Sequence, residues 1–170
     1  LNGGASTPSL LLFLFPLTVG STDTIHSAIL SLTCTSDVIV STDIAIYPAE
    51  LTASWNVTQV TWVNSATNIM WNSPGADDSS ERGVWEPPHR AVTNGTMLVN
   101  VTALAQQAAS NNQNTLELIV ASEGAEYTCA LSESAIVSQR PSLTLDTSST
   151  AAGNGGTVTA DFVDEGASLM

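Results

Sequence analysis

The chain has 170 residues, 43% of them hydrophobic, which is enough for a core in one domain or in one domain plus part of another. It carries 16 acidic residues against three arginines and no lysine, for a formal net charge of −13, so its surface repels phosphate backbones and nucleic acid is excluded as a partner. The lack of lysine also excludes a Schiff base, a P-loop and a lysine general base.

Charged residues make up only 11% of the chain, and Ser, Thr and Asn take over the polar role, a composition that fits a secreted or surface glycoprotein better than a cytosolic enzyme. At the start, residues 10–19 form an apolar run broken by Pro16, shorter than the roughly 20 residues of a membrane-spanning helix. With neither an initiating Met nor a basic flank, this run is expected to be a buried first strand rather than a cleaved leader, with Pro16 marking a break. Residues 10–15 are all Leu or Phe, so both faces of such a strand need cover, from within the chain or from an adjacent subunit.

His26 is placed in a turn, and strict alternation follows. Ala28, Leu30, Leu32 and Cys34 share one face of a strand, and Ile29, Ser31, Thr33 and Thr35 the other. Residues 38–40 and 44–47, separated by Ser41-Thr42-Asp43, are expected to form a hairpin. In residues 51–56, Leu51, Ala53 and Trp55 oppose Thr52, Ser54 and Asn56. Val60-Thr61-Trp62-Val63 and Ile69-Met70-Trp71 read as strands, and residues 74–90 as a long loop broken by Val84-Trp85. In that loop Asp77, Asp78 and Glu81 offer oxygen ligands without EF-hand spacing, so a solvated acidic loop is the plainer expectation. Trp71 and Trp85, which flank it, are either lids on a sheet or exposed anchors for a partner. His89 has the setting of a solvated loop histidine.

In residues 97–103, Met97, Val99 and Val101 oppose Asn100 and Thr102. Residues 103–114 hold the one expected helix, 116–120 a strand, and 143–145 the last strand of the first domain. Three sequons occur, at Asn56-Val57-Thr58, Asn94-Gly95-Thr96 and Asn100-Val101-Thr102, and strand parity puts Asn56 and Asn100 on solvent faces. The two cysteines have no second Cys or His at ligand spacing, which favours a single buried disulfide over a metal site, the alternative being two unpaired core thiols.

One ordered set of residues has a family likeness. Ser31-Leu32-Thr33-Cys34, Val60-Thr61-Trp62-Val63, Leu116-Glu117-Leu118 and Glu123-Gly124-Ala125-Glu126-Tyr127-Thr128-Cys129 together resemble strands B, C, E and F of the immunoglobulin superfamily. The resemblance implies an all-β, immunoglobulin-like two-sheet Greek-key sandwich, with Cys34 bridged to Cys129. It also implies Trp62 packed on the bridge and the Tyr127 hydroxyl tying down the corner into strand F. Trp62 follows Cys34 later than the family's tryptophan does, which makes the domain V-type-like with an enlarged B to C region and leaves Trp55 as the other core tryptophan.

On this reading residues 1–146 are the sandwich with its N-terminal apolar strand, and 147–156 are a Gly, Ser and Thr-rich linker. Residues 157–170 either open a second immunoglobulin-like domain or form a strand exchanged with a neighbour. Val163-Asp164-Glu165-Gly166-Ala167-Ser168-Leu169 resembles the segment leading into strand B. No nucleophile elbow, zinc-protease helix or Cys-x-x-Cys motif appears. The expectation is therefore a non-enzymatic extracellular or cell-surface glycoprotein module for protein recognition or adhesion. Its partners are other subunits or cell-surface proteins, it bears N-linked glycans at Asn56, Asn94 and Asn100, and it has no cofactor and no membrane span. The rival is a structural subunit of an extracellular filament or appendage built by strand addition. A carbohydrate-active sandwich ranks third, because it needs a carboxylate pair facing one cleft and the sequence clusters only Asp77, Asp78, Glu81 and Glu86.

Overall fold

The computed structural model describes residues 9–17, 19, 23–35, 45–56, 58–61, 63–87, 89–90, 94–123, 128–130, 134–149, 156–161 and 168–169. These residues form an all-β sandwich of antiparallel sheets. The strands are β1 (Ser9–Pro16), β2 (Asp23–Thr35), β3 (Ala45–Glu50), β4 (Asn64–Ala66), β5 (Ile69–Met70), β6 (His89–Arg90), β7 (Asn94–Asn100), β8 (Thr115–Glu123), β9 (Thr128–Cys129), β10 (Ser142–Ser149), β11 (Gly156–Asp161) and β12 (Ser168–Leu169), with one helix, α1 (Thr102–Ser110). One large sheet has the order β12-β1-β8-β3-β6, a second runs β11-β10-β2-β7 with β9 also paired to β2, and β4 and β5 pair as a separate two-stranded hairpin.

The alternation read from the sequence sets which side chains meet between the sheets. Ala28, Leu30, Leu32 and Cys34 of β2 are buried, as are Met97 and Val99 of β7 and Leu143 and Leu145 of β10. They pack against Phe13 and Phe15 of β1 and Leu116, Leu118 and Val120 of β8 in one continuous core. Helix α1 adds Leu104, Ala105 and Ala108 to that core, a stripe at helical spacing. It is docked on β2, where the Val101 N–H donates to the Ala28 carbonyl (2.9 Å) and the Ala28 N–H donates to Thr102 Oγ1 (2.9 Å). The helix covers the expected Ala-Gln-Gln-Ala-Ala turns, starts at Thr102 and ends at Ser110 in the expected Asn-rich turn, where Asn112, with φ 56°, takes the left-handed conformation that asparagine tolerates after a helix end.

The β8 sheet is buried on both faces. Across its strands the row Leu12, Ile119, Ala49 faces away from the main core, and the next row, Phe13, Leu118, Glu50, faces into it. The outward row is covered by Leu51, Val60, Trp71 and Ala76, which make a second core with it. The apolar run at residues 10–15 is thus a strand whose two faces are both covered by its own chain: Leu12 sits in the second core, Phe13 and Phe15 in the first.

Several expected pairings differ. The strand read as E, β8, pairs with β1 and β3 and lies in the sheet opposite β2, the strand read as B. The doubly apolar β1 needs cover on both faces and takes the place beside β8. Val60, Thr61 and Val63 belong to the covering segment and not to a strand, and Trp62 lies outside the described residues. Of the expected hairpin, residues 38–40 lie outside the described residues, while β3 pairs with β8 and β6. Strand β10 extends into the expected linker, with Thr147, Ser148 and Ser149 paired to Ile25, Thr24 and Asp23. Beyond it, β11 joins the edge of β10 and β12 the edge of β1.

Because Leu12 and Phe13 serve opposite faces, truncating either must be felt. Leu12→Ala is expected to cost about 2–5 kcal/mol and Phe13→Ala about 3–5 kcal/mol in urea unfolding. A strand covered on one face only would leave one of the two substitutions near zero.

Candidate functional site

The segment from residue 51 to 87 that covers the β8 sheet is held by one buried carboxylate. Glu81 accepts the backbone N–H groups of Asn72 (2.6 Å) and Ser73 (3.2 Å) on its two oxygens, while its carbonyl accepts those of Thr52 (2.8 Å) and Ala53 (2.9 Å). A β-bridge between Leu51 and Arg82 and a hydrogen bond from the Gly83 N–H to the Glu50 carbonyl (2.8 Å) tie the segment to the end of β3. Trp71 is buried at 4% exposure beneath it, and its indole N–H donates to the Thr61 carbonyl (2.9 Å). Trp55 and Trp85 are half-buried at the margin of the second core, so the described tryptophans act as lids on the sheet.

The acidic loop closes on itself. Asp77 pairs with Arg82 (2.7 Å), whose guanidinium lies 4.3 Å from the centre of the Trp85 ring. Asp78 Oδ1 accepts the Ser80 hydroxyl (2.6 Å) and the Ser80 N–H (2.8 Å). Asp77, Asp78 and Glu81 therefore share one loop, in which Asp77 and Asp78 each give one oxygen to internal donors and Glu81 gives both. Among the described residues no group of three or more His, Cys, Asp or Glu side chains is placed to hold a metal ion.

Two further glutamates border one hollow from opposite faces of the β8 sheet, since Glu50 shares the inward row of Leu118 and Glu117 the outward parity of Ile119. Glu50 and Glu117 both line a hollow of ≈250 Å³ between the end of β3, the start of β8 and the turn after α1, together with Ser54, Asn114 and Thr115. Glu50 is only 4% exposed and accepts the Gln107 amide N–H (2.9 Å) from α1; Glu117 accepts the Trp55 indole N–H (2.6 Å). Sequence reading missed these two because they lie on strands far apart in sequence, brought together by the antiparallel pairing of β3 with β8, whose last rung is Glu50↔Leu118. The one available signal was their position beside strictly apolar neighbours, where a carboxylate must find a donor. A larger hollow of ≈580 Å³ lies along α1, lined by Leu17, Ile25, Gln106, Asn112 and Gln113 among others.

Cys34 and Cys129, 95 positions apart in sequence, form a disulfide, with their Cα atoms 3.9 Å apart. The bridge joins residues directly opposite each other on β2 and β9 of one sheet, whereas the resemblance implies a bridge between sheets. The chain-entropy model gives a loop of this length about 4–5 kcal/mol of stabilisation. Tyr127, like Trp62, lies outside the described residues.

Asn56 and Asn100 are exposed, as parity predicts; Asn94 opens β7. At both exposed sequons the asparagine Oδ1 accepts the N–H and the hydroxyl of the threonine two residues on: 3.0 and 2.8 Å for Asn56 and Thr58, 3.0 and 2.7 Å for Asn100 and Thr102. For Asn100 this also satisfies the first N–H of α1. His26 lies within β2 rather than in a turn, where it is exposed and hydrogen-bonded through Nε2 to Ser148 Oγ (2.6 Å), because β2 begins at Asp23 and pairs with β10 from its first residue. His89 lies in β6. No helix among the described residues is long and apolar enough to cross a membrane.

No family model, curated protein or solved structure matches the chain.

Hydrogen bonds from the Ser80 hydroxyl and backbone N–H, aided by the Arg82 charge, outweigh desolvation and hold the Asp78 carboxyl below the usual aspartate range. A depressed folded value means that this turn's contribution is present above the unfolded pKa, about 3.9, and is lost as pH falls through the folded one. In a carbon-detected NMR titration Asp78 should ionise below the ordinary aspartate midpoint, and Ser80→Ala should bring it back up. An Asp78 midpoint that Ser80→Ala leaves unmoved contradicts the assignment.

Proposed function

We propose that the chain is a non-catalytic, disulfide-bonded sandwich module of an extracellular or cell-surface glycoprotein, used in protein recognition or adhesion. The observation that carries this reading is where the apolar and terminal segments go. β1, β11 and β12 all take places in the chain's own sheets, which supports a chain that keeps these strands to itself. That favours a recognition module over a filament subunit assembled by strand addition.

Three further observations support it. The 95-residue disulfide loop suits an oxidising compartment. The carboxylates of Glu50, Glu81 and Glu117 are engaged by amide or indole donors, which are the bonds of a scaffold rather than of a poised acid and base. The β4–β5 hairpin of the covering segment presents Ile69 and Met70 at 59% and 68% exposure, an apolar contact suited to a protein surface. The likeness to immunoglobulin-type strands at Cys34 and Cys129 is in keeping with this use, although the strand pairing described above is its own.

The test is secretion of the chain from a eukaryotic cell line followed by intact-mass measurement. The mass should rise by two hydrogens on reduction and fall on glycosidase treatment, with Asn56 among the modified sites. Labelled protein should bind intact cells saturably, and Ile69→Ser with Met70→Ser should reduce that binding at least several-fold without changing the melting temperature. A chain recovered with free thiols and without glycan, or one that binds no surface, overturns the reading.

A further inference from the structure

The edges of the two sheets are not alike. In the β8 sheet the edge strands β12 and β6 have two residues each, too short to template another chain. In the β2 sheet, β11 ends on Asp161, a charge of the kind that discourages edge pairing. β7 has neither protection. It runs for seven residues, Asn94–Asn100, as NGTMLVN, without charge or proline, and among the described residues it pairs only with β2. Its Leu98 is 67% exposed, and the strand beside it presents Ile29, Ser31 and Thr33 on the same outer face, again without charge. In a chain of net charge −13, the described residues of this face thus bring no carboxylate to oppose a second copy.

Two of the three sequons stand at the two ends of this strand. Asn94 opens it opposite Thr35, and Asn100 closes it opposite Ile29. At the rise of an extended strand they are about 20 Å apart, so a branched, hydrated glycan on each brackets the whole edge. A new strand must approach to about 4.8 Å to form a ladder, which such a glycan prevents.

We propose that the Asn94 and Asn100 sequons are edge guards: their glycans keep β7 unpaired, and without them two copies of the chain join antiparallel through β7 about a two-fold axis. This rests on the glycosylation reading given above and adds to it the purpose of two of the three sites. Asn56, in the covering segment, has no part in it.

The chain is made in two forms, secreted from a eukaryotic cell line and exported unglycosylated to a bacterial periplasm, both oxidised. Glycopeptide mapping gives occupancy, and sedimentation equilibrium at physiological salt gives the oligomeric state. The expected result is a secreted chain with glycan at Asn94 and Asn100 that stays monomeric, and a periplasmic chain that dimerises. Leu98→Lys, which places a charge on the exposed edge at no cost to the core, should return the periplasmic chain to monomer, and Asn56→Gln should leave the secreted chain monomeric. A glycosylated secreted chain together with a folded, monomeric periplasmic chain overturns the guard while leaving glycosylation standing. A secreted chain without glycan at either position overturns the glycosylation reading itself.

Discussion

The row Leu12, Ile119, Ala49 on the outer face of the β8 sheet has to be kept from water, and the organisation of the molecule follows from how that is done. The inner face is covered by the β2 sheet, as in any two-sheet sandwich. The outer face needs a third layer, which the chain supplies with the segment after β3. At roughly 1.5–3 kcal/mol for each large apolar side chain fully buried, the second core built on Trp71, Leu51, Val60 and Ile119 is a substantial share of what a domain of this size can spare. An irregular segment can serve as a layer only if its backbone groups are satisfied. The Glu81 carboxylate does this from inside, bonding two N–H groups of the opposite arm of the loop.

The shortage of cations shapes the rest. With three arginines for 16 acids, few carboxylates can be met by a cation, and Arg82 is paired with the exposed Asp77. Glu50, Glu81 and Glu117 instead use the amide of Gln107, the backbone of Asn72 and Ser73, and the indole of Trp55. Neutral donors to a carboxylate give charge-assisted bonds of real strength without a partner charge to desolvate. Each such bond also links two separate elements: Glu50 joins β3 to α1, Glu117 joins β8 to the covering segment, and Glu81 joins the two arms of that segment.

Local patterning was legible wherever period two governs a strand. The sequence alone separates Leu51, Ala53 and Trp55 from Thr52, Ser54 and Asn56, and that division holds even though residues 52–56 are not a strand, because an extended chain on a sheet surface obeys the same alternation. The doubly apolar run at residues 10–15 was read as needing two covers, and it has them. What local pattern does not carry is partnership. Nothing in residues 115–123 says that β1 and not β2 will lie beside them, since register and neighbour depend on which faces elsewhere remain uncovered. The cysteine pair was legible as a disulfide, but not its place across one rung of one sheet. Glu50 and Glu117, distant in sequence, came to border one hollow only through the pairing of β3 with β8.

Burial of β8 on both faces, between β1 and β3, is tested most directly by hydrogen exchange of the oxidised chain followed by mass spectrometry. Peptides within residues 115–123 should be among the slowest to exchange, opening only with global unfolding and no faster than the inner residues of β2. Exchange of those peptides within seconds, at the rate of an exposed edge strand, would contradict the three-layer arrangement.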